Sequence, residues 1–146
     1  MDSTGLKGSL YYVGNASFEL KKFVEDVVYE VNGDKIEITP LHKFGDQSFY
    51  GVGVPSIVGR MAMPVEYVER SHGAILGSWM HTNEDNMSHV DPANLLKDLK
   101  IALGIILGLS NDSILPYDMS SLLADIEDKI EKIIPLADQL IEIESI

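Results

Sequence analysis

The sequence predicts an α/β chain. Short aromatic and β-branched runs alternate with stretches that repeat apolar residues at helical spacing. Asp91-Pro92 then opens a long helix, with Asp at the N-cap and Pro at the first helical position. No internal repeat or low-complexity tract interrupts this order, and 146 residues suit one domain with a real core.

Ser9–Val13 is apolar, aromatic and β-branched, and is expected to be a short strand. Asn15 to Ser17 offer helix caps. Phe18, Leu20, Phe23, Val24, Val27, Val28 and Val31 follow at helical spacing, which predicts an amphipathic helix from Ser17 to Val31, stopped by Asn32-Gly33-Asp34. Lys35–Thr39 alternates as a strand does, and Pro40 ends it. Phe44–Val54, punctuated by three glycines, is expected to be a loop or a single helical turn feeding a buried strand over Val54–Val58.

Met61–Asn86 gives no periodic signal and is expected to be irregular. The helix from Pro92 to Leu109 becomes apolar all round after Lys100, which predicts a core position. A polar loop with Pro116 leads to the last helix, Met119 to about Ile143. Its apolar residues repeat at Leu122, Leu123, Ile126, Ile130, Ile133, Ala137, Leu140 and Ile141. Asp125/Lys129 and Asp128/Lys132 are set to pair on its outer face, and Pro135 should kink or split it.

Composition excludes several functions. The net charge of -12 leaves no basic stripe for phosphates, so neither nucleic acid nor an anionic membrane surface is an expected partner. The absence of cysteine removes disulfides, thiolate zinc sites and cysteine nucleophiles. Met-Asp-Ser-Thr-Gly has neither the basic nor the apolar region of a signal peptide, and the longest apolar run, Ile101 to Leu109, falls short of the ~20 residues that span a bilayer. A soluble chain of undetermined compartment is the expectation.

Chemistry concentrates around His81. Of the four histidines (His42, His72, His81 and His89), His81 stands in Trp79-Met80-His81-Thr82-Asn83-Glu84-Asp85, ten residues before Asp91-Pro92. Imidazole is a common zinc ligand and neighbouring carboxylates can orient it, although a lone histidine is more often a hydrogen-bonded structural residue.

His81-Thr82-Asn83-Glu84-Asp85-Asn86 with Val90-Asp91-Pro92-Ala93-Asn94-Leu95 resembles the "HTPEDT…VDPENL" segment of the di-zinc aminopeptidase family. That family includes bacterial leucyl aminopeptidases, glutamate carboxypeptidase II and the transferrin receptor. Gly45-Asp46-Gln47-Ser48-Phe49 and Gly53-Val54-Pro55-Ser56-Ile57 resemble its "gSDhapF…GIPs" segment, and Met1-Asp2-Ser3-Thr4-Gly5 its "NlDxxG" strand end. Leu115-Pro116-Tyr117-Asp118 and the closing helix are similar to the glutamate carboxypeptidase-like branch. The motifs occur in the family's order along essentially the whole chain.

The resemblance implies part of an α/β/α sandwich with a long C-terminal helix: residues 1–146 as a single C-terminal portion of the catalytic domain, with 119–146 as a helical arm. It implies zinc as cofactor, Asp2 ligating one ion and His81 the other, and Asp46 beside the site or facing substrate. Asn83 departs from the family's proline, and Met80 from its polar or aromatic residue. The family's two ions, about 3.5–4 Å apart, share a water that a glutamate base deprotonates. Its His-x-Asp motif, bridging aspartate and Glu-Glu pair precede the strand matched at Asp2. The expected function is therefore the C-terminal fragment of a zinc exopeptidase acting on peptides, inactive alone and completed by an N-terminal half or a homodimer partner. The alternative is a non-catalytic, self-associating module that kept the fold.

Three other signals are open to plain structural readings. Gly104-Ile105-Ile106-Leu107-Gly108 suggests close helix packing on a sheet. Glu127, Asp128 and Glu131 suit a solvated helix face. Ile126, Ile130, Ile133, Ala137 and Leu140 follow coiled-coil spacing and fit either core packing or a dimer contact. No serine has a nucleophile-elbow setting.

Overall fold

Helix formation begins where the strand's pairing runs out. β1 (Tyr11–Ala16) passes through Ser17 into a single 3-10 turn at Phe18–Leu20 and then α1 (Lys21–Asn32), which Gly33 closes in the left-handed conformation at φ 74°. β2 (Thr39–Pro40), β3 (Ile57–Ala62), α2 (Val65–Arg70), α3 (Pro92–Asn111) and α4 (Met119–Glu144) follow. The computed structural model describes residues 4–42, 49 and 52–144, with side-chain burial given as far as Asp138.

Helices pack on one face of a three-stranded sheet of order β2-β1-β3, in which β2 runs parallel to β1 and β3 antiparallel. The coarse α/β expectation holds at this level. The strand limits differ from those expected. Asn94 donates its side-chain amide to the Ser9 carbonyl and hydroxyl, so pairing starts at Tyr11 rather than Ser9. The Ile38 N–H donates to the Glu25 carboxylate at 2.9 Å, which leaves only Thr39 of the expected Lys35–Thr39 strand in the ladder, joined by Pro40. The strand expected at Val54–Val58 is displaced to Ile57–Ala62, with Ile57 and Val58 only half-buried. α2, a short and largely exposed helix after Pro64, has no apolar period and went unread.

One face of the sheet carries the core. Tyr12, Ala16 and Met61 meet Val24, Val27 and Val28 of α1, Ile38, and Ile101 of α3. Each fully buried aliphatic chain contributes roughly 1.5–3 kcal/mol. The Tyr12 ring lies across β3 where Gly59 has no side chain; a Cβ there would come within 2.1 Å of the Tyr12 oxygen. The glycine pair of α3 does not pack on the sheet. A Cβ at Gly104 would stand 2.9 Å from Val27, and one at Gly108 would stand 2.7 Å from the Phe23 ring, so the close approach is to α1.

The core-helix expectation for α3 is corrected in the same region. Only Asp98 and Ile101 are buried, and Leu99, Leu103, Ile106 and Leu107 are exposed on the side away from α1. α4 continues through Pro135 as one helix instead of splitting. Its start is tied down. Asp118 donates its N–H to the Glu19 carbonyl and accepts from the Ser120 and Ser121 N–H groups, and Lys129 sits 5.1 Å from the Phe18 ring centroid. The Ser121 hydroxyl, with the two backbone donors, holds the Asp118 carboxyl below its ordinary pKa. Lys129–Asp125 and Lys132–Asp128 pair as expected at 2.5 and 2.6 Å, and Glu127, Asp128 and Glu131 are exposed.

Two outcomes follow. Asp98 accepts from the Gly5 N–H at 2.8 Å and the Met61 N–H at 3.0 Å. Asp98→Ala strands two donors and is expected to cost about 3–5 kcal/mol, read as a lower urea midpoint, with Asp98→Asn losing less. Burial pushes the Tyr12 hydroxyl from 10.0 up to about 12, with the Asp98 charge adding and Arg60 opposing. A raised tyrosine pKa means the folded state holds its proton longer than the unfolded state. Stability is then full below about pH 10 and falls by about 2–3 kcal/mol as pH rises toward 12. In Tyr12→Phe that share of the alkaline loss should vanish from pH-dependent urea unfolding.

Candidate metal centre

The segment before β1 is held against the approach to α3. Leu6 and Val90 form an antiparallel bridge, the Lys7 N–H donates to the His89 carbonyl, and the Asp91 N–H donates to the Gly5 carbonyl, both at 2.8 Å. Asn94 adds a side-chain bond to the Leu6 carbonyl at 2.9 Å. Asp91 caps α3 as the sequence predicts, accepting from the Ala93 and Asn94 N–H groups at 2.7 and 3.1 Å. Thr4 and His81, distant in sequence, consequently line one cavity of about 350 Å³ with Trp79, Met80, Asp85 and His89.

The loop that carries His81 is built from turns. The Thr82 hydroxyl donates to the Trp79 carbonyl at 2.5 Å and accepts from the Glu84 N–H at 3.1 Å. The Asp85 N–H reaches the Thr82 carbonyl, and Asn86 accepts from the Ser88 N–H at 3.0 Å to cap a 3-10 turn over Met87–His89. The polar run Thr82–Asn86 thus spends much of its hydrogen bonding on its own backbone. Trp79 stacks on His89, with centroids 3.9 Å apart and planes 8° apart, and leans on Tyr67 at 6.4 Å.

Of the residues expected to act, His81 is exposed, at φ 63°, in the left-handed region that side chains rarely adopt. Asp85 shares its cavity and is also exposed. Asp2 and Asp46 lie outside the described residues; Thr4, two residues beyond Asp2, is the nearest described position to it on that side. Among the described residues no three histidines or carboxylates gather closely enough to hold a metal ion. His81, Asp85 and His89 line the cavity without gathering into a cluster, so they do not by themselves supply the three or four protein ligands zinc takes, and no catalytic step is derived through it.

His89 and Asn94 were not singled out from sequence. The signal for His89 is its distance of ten residues from Trp79 across a turn-rich loop, which does not by itself specify stacking. Asn94 stands in a stretch that helix periodicity alone assigns to solvent. No helix among the described residues is long and apolar enough to cross a membrane. No family model, curated protein or solved structure matches the chain.

The backbone of His81 gives a test independent of activity. Gly tolerates φ near 60° without penalty, whereas a histidine there is held at a cost. His81→Gly is expected to raise stability by about 0.5–1 kcal/mol in urea unfolding, while His81→Ala leaves it unchanged or lower.

Proposed function

We propose that this chain is the C-terminal part of a zinc-dependent exopeptidase of the di-zinc aminopeptidase type, with an α/β/α sandwich as its complete fold. The observation that carries the reading is the shared cavity. The two stretches that resemble the family's metal-bearing segments, Met1–Gly5 and His81–Leu95, lie far apart in sequence; the Gly5 carbonyl of one accepts from the Asp91 N–H of the other, and Thr4 and His81 line the same cavity. In this reading Asp2 and His81 each offer one ligand, and Asp46 flanks the site. Peptide is the substrate class. The remaining ligands and the general base come from another polypeptide segment, so the chain alone is inactive.

A second reading has a specific observation in its favour. α3 and α4 leave Leu99, Leu103, Ile106, Ile126, Ile130 and Ile133 exposed. A non-catalytic, self-associating module that kept the fold accounts for that surface without any metal.

Calorimetry with zinc on the full chain separates the two readings. The exopeptidase reading expects micromolar or tighter binding that Asp2→Ala and His81→Ala each weaken at least about tenfold, about 1.4 kcal/mol. Binding that ignores both substitutions leaves the module, and absent binding assigns the metal site to the missing segment, with this chain a structural fragment of the enzyme.

A further inference from the structure

A cavity of about 650 Å³ lies away from the candidate metal centre, against the face of the sheet opposite α1 and α3. Among the described residues no helix packs extensively on that face, which presents Val13, Asn15, Val58 and Arg60. Arg60 and Lys35 bring two positive charges to its lining, against the single carboxylate of Glu37. Among the described residues neither cation has an ion-pair partner, and the Arg60 Nε is buried without an acceptor. A guanidinium in that position calls for a carboxylate from outside the fold.

The chain also carries a surface of matching chemistry. α4 exposes Leu123, Ile126, Ile130 and Ile133 on one stripe. Glu127 and Glu131 lie along one border of that stripe and, unlike Asp125 and Asp128, have no ion-pair partner among the described residues. Lengths agree as well. Leu123 to Ala137 spans about 20 Å of helix, and a six-residue strand such as β1 or β3 spans about 20 Å. α4 runs as one helix from its anchorage at Phe18 and makes no extensive contact with the sheet of its own chain.

We infer that α4 of a second copy lies on the open sheet face, its apolar stripe over Val13 and Val58 and its Glu127/Glu131 border beside Arg60 and Lys35. Exchange in both directions closes the pair about a two-fold axis, as self-complementary interfaces do. The inference rests on the sandwich reading above, which requires a second helical layer, and it names the source of that layer.

Sedimentation equilibrium on the full chain tests it. Wild type is expected to be a dimer with micromolar dissociation. Arg60→Glu, and separately Glu127→Lys with Glu131→Lys, are each expected to weaken it at least about tenfold, and combining them to recover most of that loss. If Arg60→Glu loses its helical circular dichroism, the Glu127→Lys, Glu131→Lys pair on the exposed face of α4 carries the test alone. A monomer up to about 100 µM, or a dimer indifferent to these reversals, overturns the inference. A monomer that still binds zinc through Asp2 and His81 sinks this inference and spares the peptidase reading. A charge-sensitive dimer whose zinc binding ignores Asp2→Ala and His81→Ala does the reverse.

Discussion

The fold depends on one buried carboxylate. Asp98 stands in the middle of α3, 4% exposed, and its two oxygens accept from the backbone of two other segments. The Met61 N–H belongs to β3, an edge strand, where a bare donor would otherwise invite another chain. The Gly5 N–H belongs to the segment that leads to Thr4 and so to the candidate metal centre. Removing a carboxylate from water costs several kcal/mol, and two charge-assisted bonds offset that cost only when both donors are held in place. The geometry is therefore mutual. α3 positions the segment before β1, and that segment with β3 makes the burial of Asp98 tolerable.

Tyr12 belongs to the same arrangement. Its ring fills the space over Gly59 and brings a buried hydroxyl near Asp98. A second ionised group there would meet the Asp98 charge at low dielectric, so the pair tolerates one negative charge and resists two. Packing and electrostatics agree at this point, which is why a glycine in the centre of a strand, ordinarily a weakness, is accommodated.

Local signals were legible in the sequence; signals about partners were not. Asp91-Pro92, Gly33 and the i,i+4 pairs of α4 act within one turn of their own backbone and hold as read. Strand limits failed where a distant side chain took a backbone group from the ladder, as Asn94 does at Ser9 and Glu25 does at Ile38. The apolar residues of α3 showed how much surface that helix has to bury, but not against what. Its glycines went to α1 rather than to a sheet, and its outer leucines are bare. At the candidate site, the sequence pointed to His81 through its neighbours. It could not reveal the left-handed backbone of His81 or the stacking of His89 on Trp79, because both depend on how the turns between residues 71 and 90 close.

The bare surfaces and the strained turn at His81 ask for the same thing. A helix apolar on two sides and a half-buried Arg60 whose Nε has no acceptor are each costly alone in water. One exposed imidazole in a strained turn is likewise a poor metal site and an expensive way to place a structural histidine. Local packing explains none of these features singly. A further polypeptide layer over the sheet would cover the apolar surface and answer Arg60. If a segment of that layer also reached the cavity at Thr4 and His81, it would add ligands where this chain offers too few. The strain at His81 would then be maintained by function rather than by stability, which is the pattern expected where a fold departs from its local rules.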